Sequence, residues 1–392
     1  MKKVVTLCIL LLLVLIGCES TSEDNDPPPP SGDTCTNVLS GVINLPTTLV
    51  DTPSTCDYLL EGDLRVTSTL IIEPGVRVVA TRSSSITVEG ADLIAVGTAD
   101  KRIVFEGQEP LQGYWGGVAL EDARPSRIEY VDIKDGGQSD RQASAGLFLR
   151  DVVVSLTNSS VSNSFVDGVY IDNDVELTSF ANNRLYGNAF SGLFIDEATV
   201  IPNLDKASDY LGLERPNGRP YINLQRVFLS TFSTSEISWN KLNAPYYISS
   251  VMELSNVVLT LEPGTELIFE GEGRTFDAHF VSSGGLIAEG TAAEPIIFRG
   301  AEPGLDAWLG LEFASVTESV LKHVEIRDAR RAIYLSANFY SSLRLSESSI
   351  TNALDGIVCN TTLNDKLIEL GSNVVFDVED EPIGEACTVE RF

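Results

Sequence analysis

The sequence NSSVSNSFVDGVYI at residues 158–171 decides the fold, because a matching sequence, NNRLYGNAFSGLFI, follows at residues 182–195. Aligned positions of the two stretches stand 24 residues apart, as Ile171 and Ile195 do. Each stretch combines a short run of strand-forming residues with a polar turn. A strand, a turn and a return on this period are typical of one coil of a parallel β-helix, in which strands stack about 4.8 Å apart.

The same step recurs near the C-terminus, where Ile326 is followed by Ile350 and Ile333 by Ile357, again 24 residues later. Elsewhere, short runs of Val, Ile, Leu and Thr alternate with turns rich in Gly, Asn, Asp and Ser. No stretch of ten or more residues has a helical period. The chain is therefore predicted to be all-β.

A second, longer repeat shows that the chain is internally duplicated. LIIEPGVRVV at residues 70–79 and LIAVGTADKRIVFEGQEPLQGYWGGVAL at residues 93–120 return as LTLEPGTELIF at residues 259–269 and LIAEGTAAEPIIFRGAEPGLDAWLGLEF at residues 286–313. Repetition on this scale indicates a stacked architecture. We predict an N-terminal half and a C-terminal half of one solenoid.

The 24-residue coils and the EPG, GTA and W-x-G elements resemble the right-handed parallel β-helix, or pectate-lyase-like, superfamily, over about residues 58–359. Similar elements occur in the N-terminal coils of bacterial proteins that are mostly secreted or attached to the cell surface. The resemblance implies an all-β, right-handed parallel β-helix solenoid. Inward-pointing aliphatic and aromatic residues would line its core, among them Ile103, Phe105, Val118 and Leu120. Asn158 and Asn182 could stack as a ladder of side-chain amides in a turn.

The domain boundaries follow from the two halves. We place the N-terminal half at residues 35–230 and the C-terminal half, with its cap, at residues 231–392. Residues 197–225 interrupt the rhythm with three prolines and an Asn-Gly turn, so we expect a projecting loop near the junction. This loop is either a binding element or a spacer that joins the halves.

The N-terminus has the features of a bacterial lipoprotein. A charged start and a short apolar run form a signal peptide at residues 1–17, which ends at the sequence LIGC. LIGC resembles a lipobox, which implies that Cys18 is diacylated and anchors the chain to a membrane. Glu19 stands where an inner-membrane retention signal has Asp, so the resemblance points to the outer membrane, on its periplasmic or extracellular face. The alternative is an ordinary signal peptide with an incidental cysteine.

Residues 18–34, the lipidated N-terminus and the segment that follows it, are polar, acidic and rich in proline, so they are predicted to be a semi-stiff tether. Beyond them, four cysteines form two pairs that are local in sequence, one at each end of the body. In an oxidising compartment we expect the disulfides Cys35–Cys56 and Cys359–Cys387. Zinc ligation by the four cysteines is the less favoured alternative.

The net charge of −29 constrains the partners. Such a surface repels nucleic acid and anionic lipid, and it favours cations or neutral sugars, although an acidic coat that only maintains solubility would look the same. The chain has two histidines, so chemistry that needs a histidine cluster is nearly excluded. We expect a monomer.

Polysaccharide lyases of this superfamily bind calcium through clustered carboxylates and use an arginine or lysine as the base. At a 24-residue period Asp172 and Asp196 would lie one coil apart on one face, with Asp174 nearby, which suits the oxygen ligands of calcium. Other acidic groupings, and the candidate bases, are listed here only as candidates: Asp132 with Asp135, Asp167, Glu197, Lys134, Arg141 and Arg150. An incidental calcium site or a solvated acidic face explains the same residues. The Gly-His-Gly and Arg-Ile-Lys motifs of polygalacturonases do not occur.

Aromatic residues give the remaining candidate site. Trp115 and Trp308 occupy equivalent places in the two halves, and Tyr221 and Trp239, with Tyr246 and Tyr247, lie near the junction. They could be platforms for sugar rings or packing residues in coil turns. We therefore expect a non-catalytic, outer-membrane surface protein that binds glycan or another envelope or matrix component. The alternative is a calcium-dependent polysaccharide lyase.

Overall fold

The computed structural model describes residue 35 and residues 37–138, 144–271, 280–314, 317–336, 341–360 and 366–392, with backbone alone at 232–234, 341 and 366. The chain divides into two units, Met1–Thr34 and Cys35–Phe392, and the described residues belong to the second. The predicted signal peptide, the tether and Cys18 lie outside the described residues. No helix in the described part of the chain is long and apolar enough to cross a membrane.

The described residues are almost entirely short β-strands. Those of the first half are β1 (Asn37–Ile43), β2 (Thr47–Leu49), β3 (Tyr58–Val66), β4 (Leu70–Ile72), β5 (Arg77–Ala80), β6 (Ser85–Glu89), β7 (Leu93–Val96), β8 (Ile103–Gly107), β9 (Val118–Glu121), β10 (Ser126–Glu129), β11 (Val131–Lys134), β12 (Ala145–Arg150), β13 (Val152–Thr157), β14 (Ser160–Ser162), β15 (Asp167–Ile171), β16 (Val175–Ala181), β17 (Arg184–Tyr186) and β18 (Leu193–Glu197).

A 3-10 helix, Ala198–Asn203, follows β18 at the junction. The remaining strands are β19 (Ile222–Trp239), β20 (Tyr246–Ile248), β21 (Met252–Leu261), β22 (Glu266–Phe269), β23 (Phe280–Ser282), β24 (Gly285–Glu289), β25 (Ile296–Gly300), β26 (Leu311–Phe313), β27 (Ser319–Lys322), β28 (Val324–Arg327), β29 (Arg331–Leu335), β30 (Ser341–Ser346), β31 (Ser349–Ala353), β32 (Asp355–Cys359), β33 (Lys366–Leu370), β34 (Val375–Val378) and β35 (Thr388–Arg391).

These strands form about fourteen coils of a three-sided parallel β-helix, the architecture that the resemblance implied. In the first half one side is built by β5, β8, β11, β14 and β17, and the second by β6, β9, β12, β15 and β18. The third side is the six-stranded sheet of β2, β4, β7, β10, β13 and β16. The pairing between strands of successive coils is parallel throughout the described residues.

The predicted register is confirmed by the strand pairing. Ile171 of β15 is the direct neighbour of Ile195 of β18, and both side chains are fully buried. Ile326 likewise pairs with Ile350. Because side chains alternate in direction along a strand, one inward row per side stacks into an apolar column, and the columns meet in one core.

The residues predicted to line that core do so. Ile103 and Leu120 are fully buried, and Phe105 and Val118 are nearly so. The core runs from Leu49 of β2 to Leu370 of β33 without a break among the described residues.

The amide ladder exists, but it lies one residue away from the predicted Asn158 and Asn182. Those two have φ values of 51° and 55°, so they supply the left-handed backbone of the turn. The next residue in each coil makes the ladder, in which the backbone N–H of Ser159 donates to Oδ1 of Asn183 at 3.1 Å. The N–H of Asn183 donates in turn to Oγ of Ser208 at 2.8 Å. Buried backbone groups at the turn are thereby satisfied.

Both predicted disulfides are present. Cys35 is bonded to Cys56, which closes the first coil, and Cys359 of β32 is bonded to Cys387, just before β35. Each bridge joins segments in the terminal coils, where fewer neighbouring strands contribute packing.

The junction between the halves differs from the prediction. The segment without strands spans residues 198–221, β19 already begins at Ile222, and the predicted boundary at 230/231 falls inside that strand. The segment is not a projecting loop, because Ile201, Leu204 and Tyr210 are buried against the core. It closes the interior where the first half ends.

The junction also offsets the two halves by one side of the coil. The second-half equivalent of β8 is β25, since the repeated sequence places Ile103 opposite Ile296. However, the side that contains β9 and β18 continues through the start of β19 into β20, β22 and β25. Corresponding surfaces of the two halves therefore lie on different sides of the solenoid. We call the continuous side from β6 to β34 the long face.

Candidate functional site

The outward row of the long face is aromatic in the middle of the molecule. Phe148, Tyr170, Phe194, Asn223 and Tyr247 occupy successive register positions on β12, β15, β18, β19 and β20. The ring centroids of Phe148 and Tyr170 are 5.3 Å apart, and those of Tyr170 and Phe194 are 4.5 Å apart. These rings stand outside the core because their strand neighbours on either side point inward.

This row ends in an open groove at the junction, with a volume of about 620 Å³. Its uncharged lining comes from the start of β19, from β20 and from the residues next to them: Tyr221, Asn223, Gln225, Tyr247, Ser249 and Ser250. Aromatic surface combined with amide and hydroxyl groups is the usual composition of a small-molecule or sugar site.

Two tyrosines form the aromatic wall of the groove. The rings of Tyr221 and Tyr247 are stacked, with centroids 4.1 Å apart and planes inclined by 11°. Burial raises the pKa of Tyr221 above its usual value, so its hydroxyl stays protonated at neutral pH. Both rings are half-buried, which leaves a flat apolar surface beside polar groups.

Asn223 lies between the aromatic row and the tyrosine pair. Its side chain lines the groove although the residue is only 7% exposed. Its Oδ1 accepts no hydrogen bond from the described residues. A buried acceptor without a partner is unfavourable, so such an atom indicates an absent water or ligand group.

The two serines of the groove present their oxygens in the same way. Oγ of Ser249 donates to the carbonyl oxygen of Leu224 at 3.3 Å, and Oγ of Ser250 donates to that of Gln225 at 2.5 Å. A hydroxyl has one proton, so each serine that spends it on the backbone offers only lone pairs to a ligand.

The charged groups of the groove are largely balanced. Arg226 forms an ion pair with the buried carboxylate of Asp196. The guanidinium of Arg219 lies 4.1 Å from the ring centroid of Phe190 and interacts electrostatically with Asp167. Burial raises the pKa of Asp167 to about 6, while the Ser191 N–H and Arg219 oppose that shift. Glu270 adds a further carboxylate to the lining.

The predicted tryptophan platforms are packing residues instead. Trp115, Trp308 and Trp239 are at most 1% exposed, so their ring faces are closed to a ligand. Nε1 of Trp115 donates to the Lys134 carbonyl oxygen at 2.7 Å, and Trp308 repeats this bond to Arg327 at 2.7 Å. Of the four predicted aromatic site residues, Tyr221 alone lines the groove.

The predicted calcium ligands are not assembled into a site. Asp172 is paired with Arg150 at 2.7 Å and Asp196 with Arg226, while Asp174 accepts a hydrogen bond from Asn173 at 3.0 Å. Among the residues that the structure describes, no three His, Cys, Asp or Glu side chains are grouped to hold a metal ion. Ion pairing with arginine uses the carboxylate oxygens that a cation would need.

The candidate bases are similarly engaged or lie elsewhere. Arg150 is held by Asp172, and Nζ of Lys134 is 3.2 Å from Oε2 of Glu106. Arg141 lies outside the described residues. The acids and bases that suggested a lyase therefore form ion pairs between coils.

Sequence reasoning missed most of the groove. The signal was the alternation in INLQ at the start of β19, where Ile222 and Leu224 point into the core and Asn223 and Gln225 point out. The step from Phe194 to its strand neighbour Asn223 is 29 residues, because the segment 198–221 intervenes. The 24-residue count therefore could not carry the register across the junction.

The fold and this groove define an all-β solenoid protein with one open aromatic and polar groove described. No protein-family model and no curated protein matches the chain. Among solved structures it is similar to "Catalytic domain of GH87 alpha-1,3-glucanase in complex with nigerose", with a TM-score of 0.25 and 12% identity. That match covers 85% of this chain and 63% of the other, so less than two thirds of that protein's length is matched. The fold assignment itself rests on the strand pairing.

Proposed function

We propose that this protein is a non-catalytic, glycan-binding β-helix lipoprotein of the outer membrane, and that the junction groove is its binding site. The observation that carries the proposal is the stacked pair Tyr221 and Tyr247 next to the unpaired acceptor of Asn223. Sugars present C–H faces that pack on aromatic rings and hydroxyl groups that hydrogen-bond, and this groove offers a partner for each.

The shape of the groove also favours a polymer. The aromatic row of Phe148, Tyr170 and Phe194 leads into it along the solenoid axis, with ring centroids 4.5 to 5.3 Å apart. An extended glycan chain could follow this row and enter the groove at its end. A non-catalytic role is supported by the ion pairs that engage Asp172, Asp196 and Arg150.

The membrane location is proposed from the sequence. LIGC at residues 15–18 follows a charged start and a short apolar run, and an acidic, proline-rich tether separates Cys18 from the folded body. A diacyl anchor on such a tether would hold the solenoid at the membrane while leaving the long face open to solvent.

The test uses residues 19–392, which contain the whole compact unit Cys35–Phe392. Affinity electrophoresis and calorimetry on a panel of soluble polysaccharides should identify at least one that binds, and Tyr221→Ala or Tyr247→Ala should weaken that binding about tenfold or more. Tyr186→Ala is the matched control, because Tyr186 is a half-buried tyrosine of β17 on another side.

Two results would reject the proposal. In the first, no glycan of the panel binds. In the second, a glycan binds but the two groove variants behave like Tyr186→Ala. Release of reducing ends or of unsaturated uronides from the bound polymer would instead show that the protein is an enzyme.

A further inference from the structure

We propose that the groove selects neutral, hydroxyl-rich glycans over uronate-bearing or sulfated ones, and that Asn223 determines this selectivity by requiring a hydrogen-bond donor from the ligand. The inference rests on the proposed function and adds the chemical class of the ligand. It follows from which polar atoms face the groove and from how its charges are paired.

The first step concerns Asn223. Its Oδ1 is buried and accepts no hydrogen bond from the described residues, so a ligand group that donates a proton would satisfy it. A sugar hydroxyl can donate in this position. A carboxylate or sulfate oxygen has no proton, and it would place a second acceptor against the first.

The second step is that neighbouring groups have the same polarity. The protons of Ser249 and Ser250 are donated to backbone carbonyl oxygens of β19, so their Oγ atoms act as acceptors toward the groove. Three acceptor oxygens therefore lie on one wall, at Asn223, Ser249 and Ser250. A ligand with several hydroxyl donors matches this wall, and a row of anionic groups does not.

The third step is electrostatic. Arg226 is already paired with Asp196, and Arg219 stacks on Phe190 and interacts with Asp167. With Glu270 included, these two cations face three carboxylates. The whole chain has a net charge of −29, so the long-range field also repels a polyanion.

The experiment compares one polymer with and without its charge. Polygalacturonate and its carboxyl-reduced, neutral form share a backbone and a chain length, and dextran, xylan, laminarin, alginate and a sulfated galactan extend the comparison. Binding to residues 19–392 is measured by calorimetry in buffer of physiological ionic strength. We expect neutral polymers to bind at least about tenfold more tightly than their charged counterparts.

Two substitutions test the role of Asn223. Asn223→Asp keeps acceptor oxygens at this position, and Asn223→Leu removes them at similar volume. The first variant should bind the neutral ligand within about threefold of the parent, and the second should bind about tenfold or more weakly. Thermal unfolding of both variants confirms that the fold is kept, since Asn223 points out of the core.

The outcomes separate this inference from the proposed function. If charged polymers bind as well as neutral ones, or if Asn223→Asp loses as much affinity as Asn223→Leu, the inference is wrong and glycan binding stands. If no polymer of either charge binds, both fail. Preference for neutral polymers together with retention by Asn223→Asp supports it.

Discussion

Truncation of Ile195 tests the coil register on which the fold depends. Its side chain is fully buried in β18, between Ile171 of β15 and Leu224 of β19. Ile195→Ala removes three carbon atoms, and the lost transfer free energy at about 0.8 kcal/mol per methylene is about 2.4 kcal/mol. The cavity that remains adds to this, so the total loss should lie in the range of about 2–5 kcal/mol.

The assay for this loss is equilibrium unfolding in urea, combined with hydrogen exchange along the chain. A solenoid's stability is approximately a sum of coil and interface contributions, so amides of β15 to β20 should lose more protection than those of β28 to β31. Ile71→Ala is the matched control, because Ile71 is 39% exposed in β4 and should lose well under 1 kcal/mol, as an order of magnitude.

The reasoning would be refuted in either of two ways. A loss below about 1 kcal/mol for Ile195→Ala would mean that the side chain does not occupy a packed column. Equal loss of protection in β15 to β20 and in β28 to β31 would mean that the two halves unfold as one cooperative unit.

Three further predictions concern the anchor, a disulfide and a buried acid. Cys18→Ala should move the protein from the membrane fraction to the soluble fraction, and a variant that stays with the membrane would contradict the lipoprotein assignment. The bridge Cys359–Cys387 spans 28 residues, so replacing both cysteines by serine should cost about 3.5 kcal/mol in the C-terminal coils, as read by their urea midpoint; an unchanged midpoint would contradict this. Burial raises the pKa of Asp167 to about 6, so the folded state retains a proton that the unfolded chain releases at lower pH. The free energy of unfolding should therefore fall by about 3 kcal/mol between pH 4 and pH 6, and Asp167→Asn should abolish this fall in urea titrations across that range, whereas an identical pH dependence would refute it.

Much of the fold could be predicted because its signals are local and periodic. Ile171 and Ile195 are both aliphatic, both flanked by outward-pointing residues and separated by one coil, and this arrangement is visible in the letters alone. The disulfides were predictable because each pair is close in sequence and lies at one end of the body.

The site was less predictable because burial depends on neighbouring coils. Trp115 was correctly placed as a repeated element, but its environment is set by the Lys134 carbonyl oxygen in the next coil, which accepts its N–H. Asn158 was correctly assigned to a turn, but its left-handed backbone turns the ladder position over to Ser159. Such one-residue differences depend on backbone dihedral angles, which a single sequence does not specify.

The offset at the junction explains why duplication of the sequence did not duplicate the groove. The groove forms where β18, which belongs to the second side of the first half, meets β19 and β20, which begin the first side of the second half. Its two walls therefore derive from non-equivalent strands, and Asn223, Tyr221 and Tyr247 occupy a place that neither half contains by itself. Because the offset exists at the junction alone, substitutions there can alter ligand selection without disturbing the repeated coils on either side.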